Sequence, residues 1–261
     1  MIHIDDSATL KIWTPPPGRT TGAWPRDFTT HPQGYYSSIP KSTRKLYTDD
    51  EIQAAIKRKD AERSWLSDLR DVGNNGKPIP SRDQDGYGYC WAHSTVSAML
   101  LARARDGQPY ADLSAFAIAC IIKNFRDQGG WGAESADFAA KRGCPTSEFW
   151  PQQSTKRTND NPQTWENAAL NKITLAFDDM QPNDDRAMAS ALIDDDPCVV
   201  DFNWWSHSVC ACRLVSWNPL SIWIWNSWGD SWSQNGMGVL SGRKASPDGI
   251  VGVSILRASA A

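Results

Sequence analysis

The sequence predicts an α+β fold with a helical first lobe over about residues 62–164 and a strand-rich second lobe over about residues 165–261, with an N-terminal arm and helix over 1–61 ahead of both. Three observations carry this prediction. After Gly86 and Gly88 an apolar run opens at Cys90 and meets no Pro or Gly before Gly107, which suits a long buried helix. Beyond His207, the stretches HSVCACRLV and SIWIWNSW alternate as two strands joined at Asn218-Pro219. Ahead of residue 46, Pro15-Pro16-Pro17-Gly18, Pro25, Pro32, Gly34 and Pro40 interrupt every long element, leaving an extended arm or a disordered tail.

The elements follow in order. Thr48 to Asp68 reads as a helix, with Thr48 as N-cap, Glu51 at the capping-box position, and Ile52, Ala55 and Ile56 on one face. The central helix spans 90–105. Ser114 to Lys123 is apolar enough to be buried throughout. Ala133 to Arg142 is a helix ended by Gly143. Residues 152–164, rich in Gln, Thr, Asn and Pro, form a polar loop at the border of the two lobes. Lys172 to Phe177 is a strand, Asp184 to Leu192 a short helix capped by Asn183, and Cys198-Val199-Val200 opens another strand. Residues 235–257 supply the last strands.

Composition narrows the function. The net charge of −3 gives no electrostatic support for nucleic-acid binding. No apolar run reaches the roughly 18 residues of a membrane span. MIHIDDSATLKIW lacks the basic and apolar regions of a secretory signal, so a cytoplasmic or virion-associated protein is expected. Six cysteines stand at 90, 120, 144, 198, 210 and 212; with Cys90 set aside, five remain, an odd number that fits a reducing compartment. Cys210-Ala211-Cys212 has no second Cys or His pair nearby, so neither metal nor cofactor is expected. Fourteen tryptophans are available to build the core of the second lobe.

The stretch with most chemistry is QDGYGYCWAHSTVS, from Gln84 to Ser97. It places Cys90 in the first turn of a helix, where free N–H groups and the macrodipole favour a thiolate. These residues alone fit a nucleophile and a buried structural cysteine equally well. A second stretch, WNSWGDSWSQNGMG at 225–238, changes the balance, with His207 upstream of it.

Gln84, Gly88, Cys90 and Trp91, then His207-Ser208-Val209, then Asn226-Ser227-Trp228-Gly229, stand in an order that resembles the papain-like cysteine proteases. The likeness covers roughly residues 62–255. It implies a papain-like two-lobe fold: a helical lobe whose central helix starts at Cys90 and an antiparallel, β-barrel-like C-terminal lobe. It implies a crossing strand in Trp65 to Pro80, with Leu69-Arg70-Asp71 on it. It implies Cys90 as nucleophile, His207 as base, Asn226 as the partner of the imidazole, and Gln84 as an oxyanion donor. It implies that Trp228 shields the Asn–His bond and that Trp232 lines the leaving-group side. The Gly129-Gly130 pair would present the Gly130 backbone to the substrate residue two before the cut, and Ser208 would shape a pocket there of ordinary polarity. Tyr89, in place of a small residue, is expected to crowd the cleft. His93, three residues after Cys90, is expected to be structural. The family's pro-segment signature is not found in 1–61, so the arm is expected to build part of the cleft wall or to contact neighbouring subunits.

The function expected is a cysteine-type endopeptidase acting on peptide or protein substrates. The alternative is a papain-fold module in a virion or other large assembly.

Overall fold

The computed structural model describes residues 1–41, 44–178, 180–247 and 250–258. Residues 42 and 43 of the expected arm, and 248, 249 and 259–261 of the last stretch, lie outside the described residues. The chain opens with a short strand, β1 (Ile2–Ile4), and a single helical turn, α1 (Leu10–Trp13). Then come α2 (Asp49–Glu62), α3 (Leu66–Arg70), α4 (Cys90–Arg105), α5 (Ala115–Ile122), α6 (Gly132–Arg142) and α7 (Pro162–Ala169). The second half runs β2 (Ile173–Asp178), α8 (Asp185–Ile193), β3 (Cys198–Phe202), β4 (His207–Ser216), β5 (Ser221–Trp225), β6 (Met237–Ser241) and β7 (Ile250–Ala258).

The helices begin where the sequence provides partners for their free N–H groups. Thr48 accepts from the Glu51 N–H, and the Glu51 carboxylate accepts from the Thr48 N–H, closing the capping box of α2. Two expectations change. The cap of α8 is Asp184, whose carboxylate accepts from the Ala187 N–H, while Asn183 sits before it with φ 61°. Leu69 and Arg70 lie in α3 and not in a crossing strand, because the Asp68 carboxylate turns back onto the Trp65 N–H and starts a helical turn there.

Every residue of α4 from Cys90 to Arg103 is buried, as befits a helix enclosed on all sides. Its hydroxyls are satisfied within the core: Ser94 and Thr95 both donate to the Trp91 carbonyl. The strands form one sheet in the order β1-β6-β5-β4-β3-β7-β2, parallel only between β1 and β6. That pairing runs as an open list from β1 to β2, and the barrel-like closure is not part of it. Helix α4 packs across β4 and β7, and its N-terminal end meets the start of β4 at Ser208, whose amide bonds the Cys90 thiol and whose hydroxyl bonds Ser94.

Tryptophan supplies the mass of this core. Trp65, Trp91, Trp150, Trp225 and Trp228 are fully buried. Each such ring removes about 200 Å² from water, on the order of 5 kcal/mol of gross hydrophobic stabilisation. They are spread over both lobes, not gathered in the second. None of the six cysteines forms a disulfide, and all are buried. Among the described residues no helix is long and apolar enough to cross a membrane, and no cluster of His, Cys, Asp and Glu suits a metal.

Candidate active site

The His207 ring is held from three sides. His207 Nε2 bonds Asn226 Oδ1 at 2.7 Å. The same Oδ1 accepts from the Ser227 N–H at 2.8 Å, which identifies it as the amide oxygen and leaves the ring nitrogen as the donor. The proton therefore sits on Nε2, and Nδ1 keeps a free lone pair. Nδ1 is buried without a hydrogen-bond partner. The Trp228 ring stacks on the imidazole at 4.6 Å, and Trp205 meets it edge-on at 4.8 Å. Trp232 stands edge-on behind Trp228 at 5.7 Å, one ring removed from the histidine. Burial lowers the His207 pKa to about 4, against the opposing pull of the Asn226 bond. The imidazole is neutral.

Cys90 is also fully buried. Burial pushes its thiol up to about 12; the amides of Ser208, Gly22 and Trp91 oppose that rise, and the charge of Asp201 adds to it. The helix terminus was expected to lower this pKa. Desolvation outweighs the dipole here, because the thiol has no access to water. Tyr89 does not crowd the cleft. It is buried against Phe116 and Tyr87, and its hydroxyl donates to the Arg126 carbonyl. His93 is buried as well, with neither ring nitrogen bonded, and its ring meets Phe116 edge-on.

Gln84 links the two lobes. Its Oε1 accepts from the Ser227 hydroxyl at 2.6 Å, and its backbone N–H donates to the Ser227 carbonyl at 2.9 Å. Its side-chain Nε2 donates to the Tyr87 carbonyl at 2.7 Å and to the Thr20 carbonyl at 3.1 Å. Thr20 belongs to the N-terminal arm, and its carbonyl also accepts from Trp228 Nε1 at 3.0 Å.

The arm thus runs across the site. Gly22 and Ala23 both donate backbone N–H groups to the Ser206 carbonyl, at 3.0 and 2.9 Å. The Gly130 N–H donates to the Gly22 carbonyl and the Trp24 N–H to the Gly130 carbonyl, each at 3.0 Å, a parallel bridge centred on Ala23. The fit is backbone against backbone. A Cβ on Gly22 would collide with the Gly88 carbonyl, and one on Gly129 with the Trp24 ring and the Gly22 carbonyl. Side chains anchor both flanks of this segment: Arg19 to Asp83 at 2.5 Å, and Arg26 to both oxygens of Asp178 at 2.9 and 2.7 Å. Residues 20–24 of the arm lie over the Cys90 end of the site.

Ser208 is buried and bonds the Ser94 hydroxyl at 2.6 Å. It lies opposite Asp201 in the β3–β4 register. Asp201 is the residue sequence reasoning missed. It sits in an apolar strand of type CVVDF, and that polar interruption was the available signal. The role of Gly22-Ala23-Trp24 was not visible either, since the sequence reads only as an extended arm or a disordered tail there.

No family model matches the sequence. Over 212 residues the chain is 23% identical to zingipain-1 of Zingiber officinale, covering 73% of this chain and 94% of that protein. It is 25% identical to zingipain-2 of the same plant over 211 residues, covering 72% and 94%. Among solved structures it is similar to xylellain, a cysteine protease from Xylella fastidiosa, with TM-score 0.60, 17% identity, and 91% and 96% of the two chains covered. It is similar to procathepsin B S9 from Trypanosoma congolense at TM-score 0.58 and 14% identity, covering 90% and 86%. Digestive procathepsin L 3 from the Tenebrio molitor larval midgut gives TM-score 0.57 at 15% identity, covering 69% of this chain and 66% of that one.

Proposed function

We propose, on the premise that this chain has the papain-like cysteine protease fold and resembles that family in sequence, that it hydrolyses peptide bonds through Cys90, His207, Asn226 and Gln84. The observation that carries this is the meeting of α4 and β4. The Ser208 amide bonds the Cys90 thiol, and His207, the residue before Ser208 on β4, keeps Nδ1 free while Asn226 holds Nε2.

The chemistry follows from these atoms. With the arm displaced, water reaches the pair and the desolvation that keeps thiol and imidazole neutral is relieved. The thiol proton then passes to Nδ1, giving a thiolate and an imidazolium. The thiolate attacks the substrate carbonyl carbon. The resulting oxyanion takes hydrogen bonds from Gln84 Nε2, vacated by Thr20, and from the Cys90 N–H; such a donor is worth about 3–4 kcal/mol in the transition state. The imidazolium protonates the leaving amine as the C–N bond breaks. Water, deprotonated by the same ring, then hydrolyses the thioester and restores the thiol. Asn226 keeps the ring in one tautomer without adding a charge.

The sealed cleft favours a second reading, a papain-fold module whose arm is a permanent part of an assembly subunit. Peptide hydrolysis under reducing conditions separates the two. The peptidase reading expects turnover that rises when the arm is displaced and vanishes in Cys90→Ala with the fold intact. Turnover that survives in Cys90→Ala excludes the thiol mechanism, and a displaced arm with no turnover favours the module.

A further inference from the structure

Asn226 alone does not fix the His207 ring. Its bond at Nε2 and the ring's own attachment at Cβ hold two points of the imidazole. The ring can still turn about the line through those points, carrying Nδ1 with it. Two indoles stand in the way of that motion. Trp228 lies along the imidazole, 28° from parallel with centroids 4.6 Å apart, and Trp205 stands across it at 62° and 4.8 Å. The two indoles meet each other at 90° and 5.6 Å, so the imidazole sits in a corner. A parallel wall by itself lets a flat ring slide; the wall that stands across it stops the sliding.

Trp205 is in turn held from behind. It is 3% exposed, and its Nε1 donates to the Trp13 carbonyl at the end of α1 at 2.8 Å. Trp204 stacks on it, 8° from parallel at 5.3 Å. The Trp13 ring meets Trp204 edge-on at 5.6 Å, and the Lys244 ammonium lies over Trp204 at 4.0 Å and over Trp13 at 5.5 Å. Helix α1 follows β1, which pairs with β6, so this support is tied to the sheet that carries His207. The N-terminal residues thus serve the site twice: residues 20–24 lie over it, and Trp13 backs it. Resting on the peptidase reading, we propose that Trp205 is a positioning residue for His207. It keeps the ring turned so that Nε2 stays on Asn226 and Nδ1 stays free to take the thiol proton. An aligned thiolate and imidazolium each hold the other in its charged form, so alignment widens the pH range over which the pair exists.

The test uses the full chain carrying Gly22→Ala, where a Cβ has no room against the Gly88 backbone and the cleft is opened. A peptidyl epoxide needs both partners: the thiolate opens its ring, and the imidazolium protonates the oxygen so freed. The rate of Cys90 alkylation is followed against pH in this parent, in Trp205→Leu and in Trp205→Phe. Trp205→Leu is expected to lower the plateau roughly tenfold or more and to narrow the active range from both ends, by about half a pH unit or more in all. Trp205→Phe keeps a flat ring in the corner and is expected to recover the range and to come within about threefold of the parent's plateau. Trp205→Met takes the place of Trp205→Leu if the latter does not fold. A range unchanged without the indole, or a narrowing that Trp205→Phe does not recover, overturns the proposal. If the parent is not alkylated, the peptidase reading fails, and the positioning is judged on the ring itself. Nitrogen-15 shifts of His207 in the natural chain are then expected to show one tautomer, protonated at Nε2, which becomes mixed in Trp205→Leu and single again in Trp205→Phe. A mixed tautomer in the natural chain, a single one that persists in Trp205→Leu, or a mixture that remains in Trp205→Phe overturns it.

Discussion

The middle of the arm and its two flanks hold the same cleft by different means. Residues 20–24 bind through backbone groups: the Thr20 carbonyl on Gln84 and Trp228, the Gly22 and Ala23 amides on Ser206, and the bridge to Gly130. The flanks bind through side chains, Arg19 on Asp83 and Arg26 on Asp178. The difference teaches where specificity for the arm resides. Backbone contacts accept any extended peptide, which is what a cleft for substrates requires. The charged flanks accept only this segment, so they decide whether arm or substrate occupies the cleft.

The largest expected effect is at the buried flank. Arg26 and Asp178 are both without solvent exposure in their side chains. Arg26→Ala leaves the Asp178 carboxylate buried and unpaired, so a loss of about 3–5 kcal/mol is expected in denaturant unfolding, together with faster alkylation of Cys90. A neutral effect on both contradicts the anchor. Next comes Gln84→Ala, which removes a donor from the arm and from the oxyanion alike. It is expected to lower kcat by about 10²–10³-fold with little change in KM, measured on a chain whose arm has been displaced. A change confined to KM would place Gln84 in binding only.

Acid tests the sealed interior. His207 and His93 both fold with pKa values lowered by burial, to about 4 and about 3. Each binds a proton in the unfolded chain first, so the stability they leave intact above the unfolded value is lost as pH falls from about 6.5 toward the folded values. Asp201, raised to about 7, acts with the opposite sign and removes stability as pH rises toward 7 from the ordinary aspartate value. His93→Phe should therefore flatten the fall of Tm between about pH 6.5 and pH 4. An unchanged slope would show that His93 is not held neutral. The smallest effect belongs to the outer flank: Arg19 and Asp83 are partly exposed, and Arg19→Ala should cost about 0.2–1 kcal/mol, fading with salt.

Much of the site was legible in residues because its chemistry demands fixed types at fixed places. Helix α4 begins at Cys90 and runs to Arg105 as the spacing of Gly88 and Gly107 requires. His207 opens a strand and Asn226 follows one, as the alternating stretches place them. What was not legible depends on the fold. The Cys90 thiol pKa was misjudged because a sequence shows the helix terminus but not what covers it. The resemblance implies a strand at Leu69 and Arg70, but a local turn set by Asp68 makes them helical. The arm's place over the site is not legible because its binding uses backbone, which every residue carries. Asp201 is visible only when β3 and β4 are in register.

The central claim is that a competent Cys–His pair lies beneath the arm. Gly22→Ala tests it most directly, since one methyl group at that position has no room against the Gly88 backbone and should eject residues 20–24 while leaving the core intact. The measurement is the rate of Cys90 alkylation by a thiolate-selective epoxide under reducing conditions, mapped by peptide. The account predicts slow labelling of the natural chain, labelling at least about tenfold faster in Gly22→Ala, and loss of that gain in Gly22→Ala/His207→Ala. Labelling in Gly22→Ala no faster than in the natural chain, or a gain that persists without His207, would contradict it.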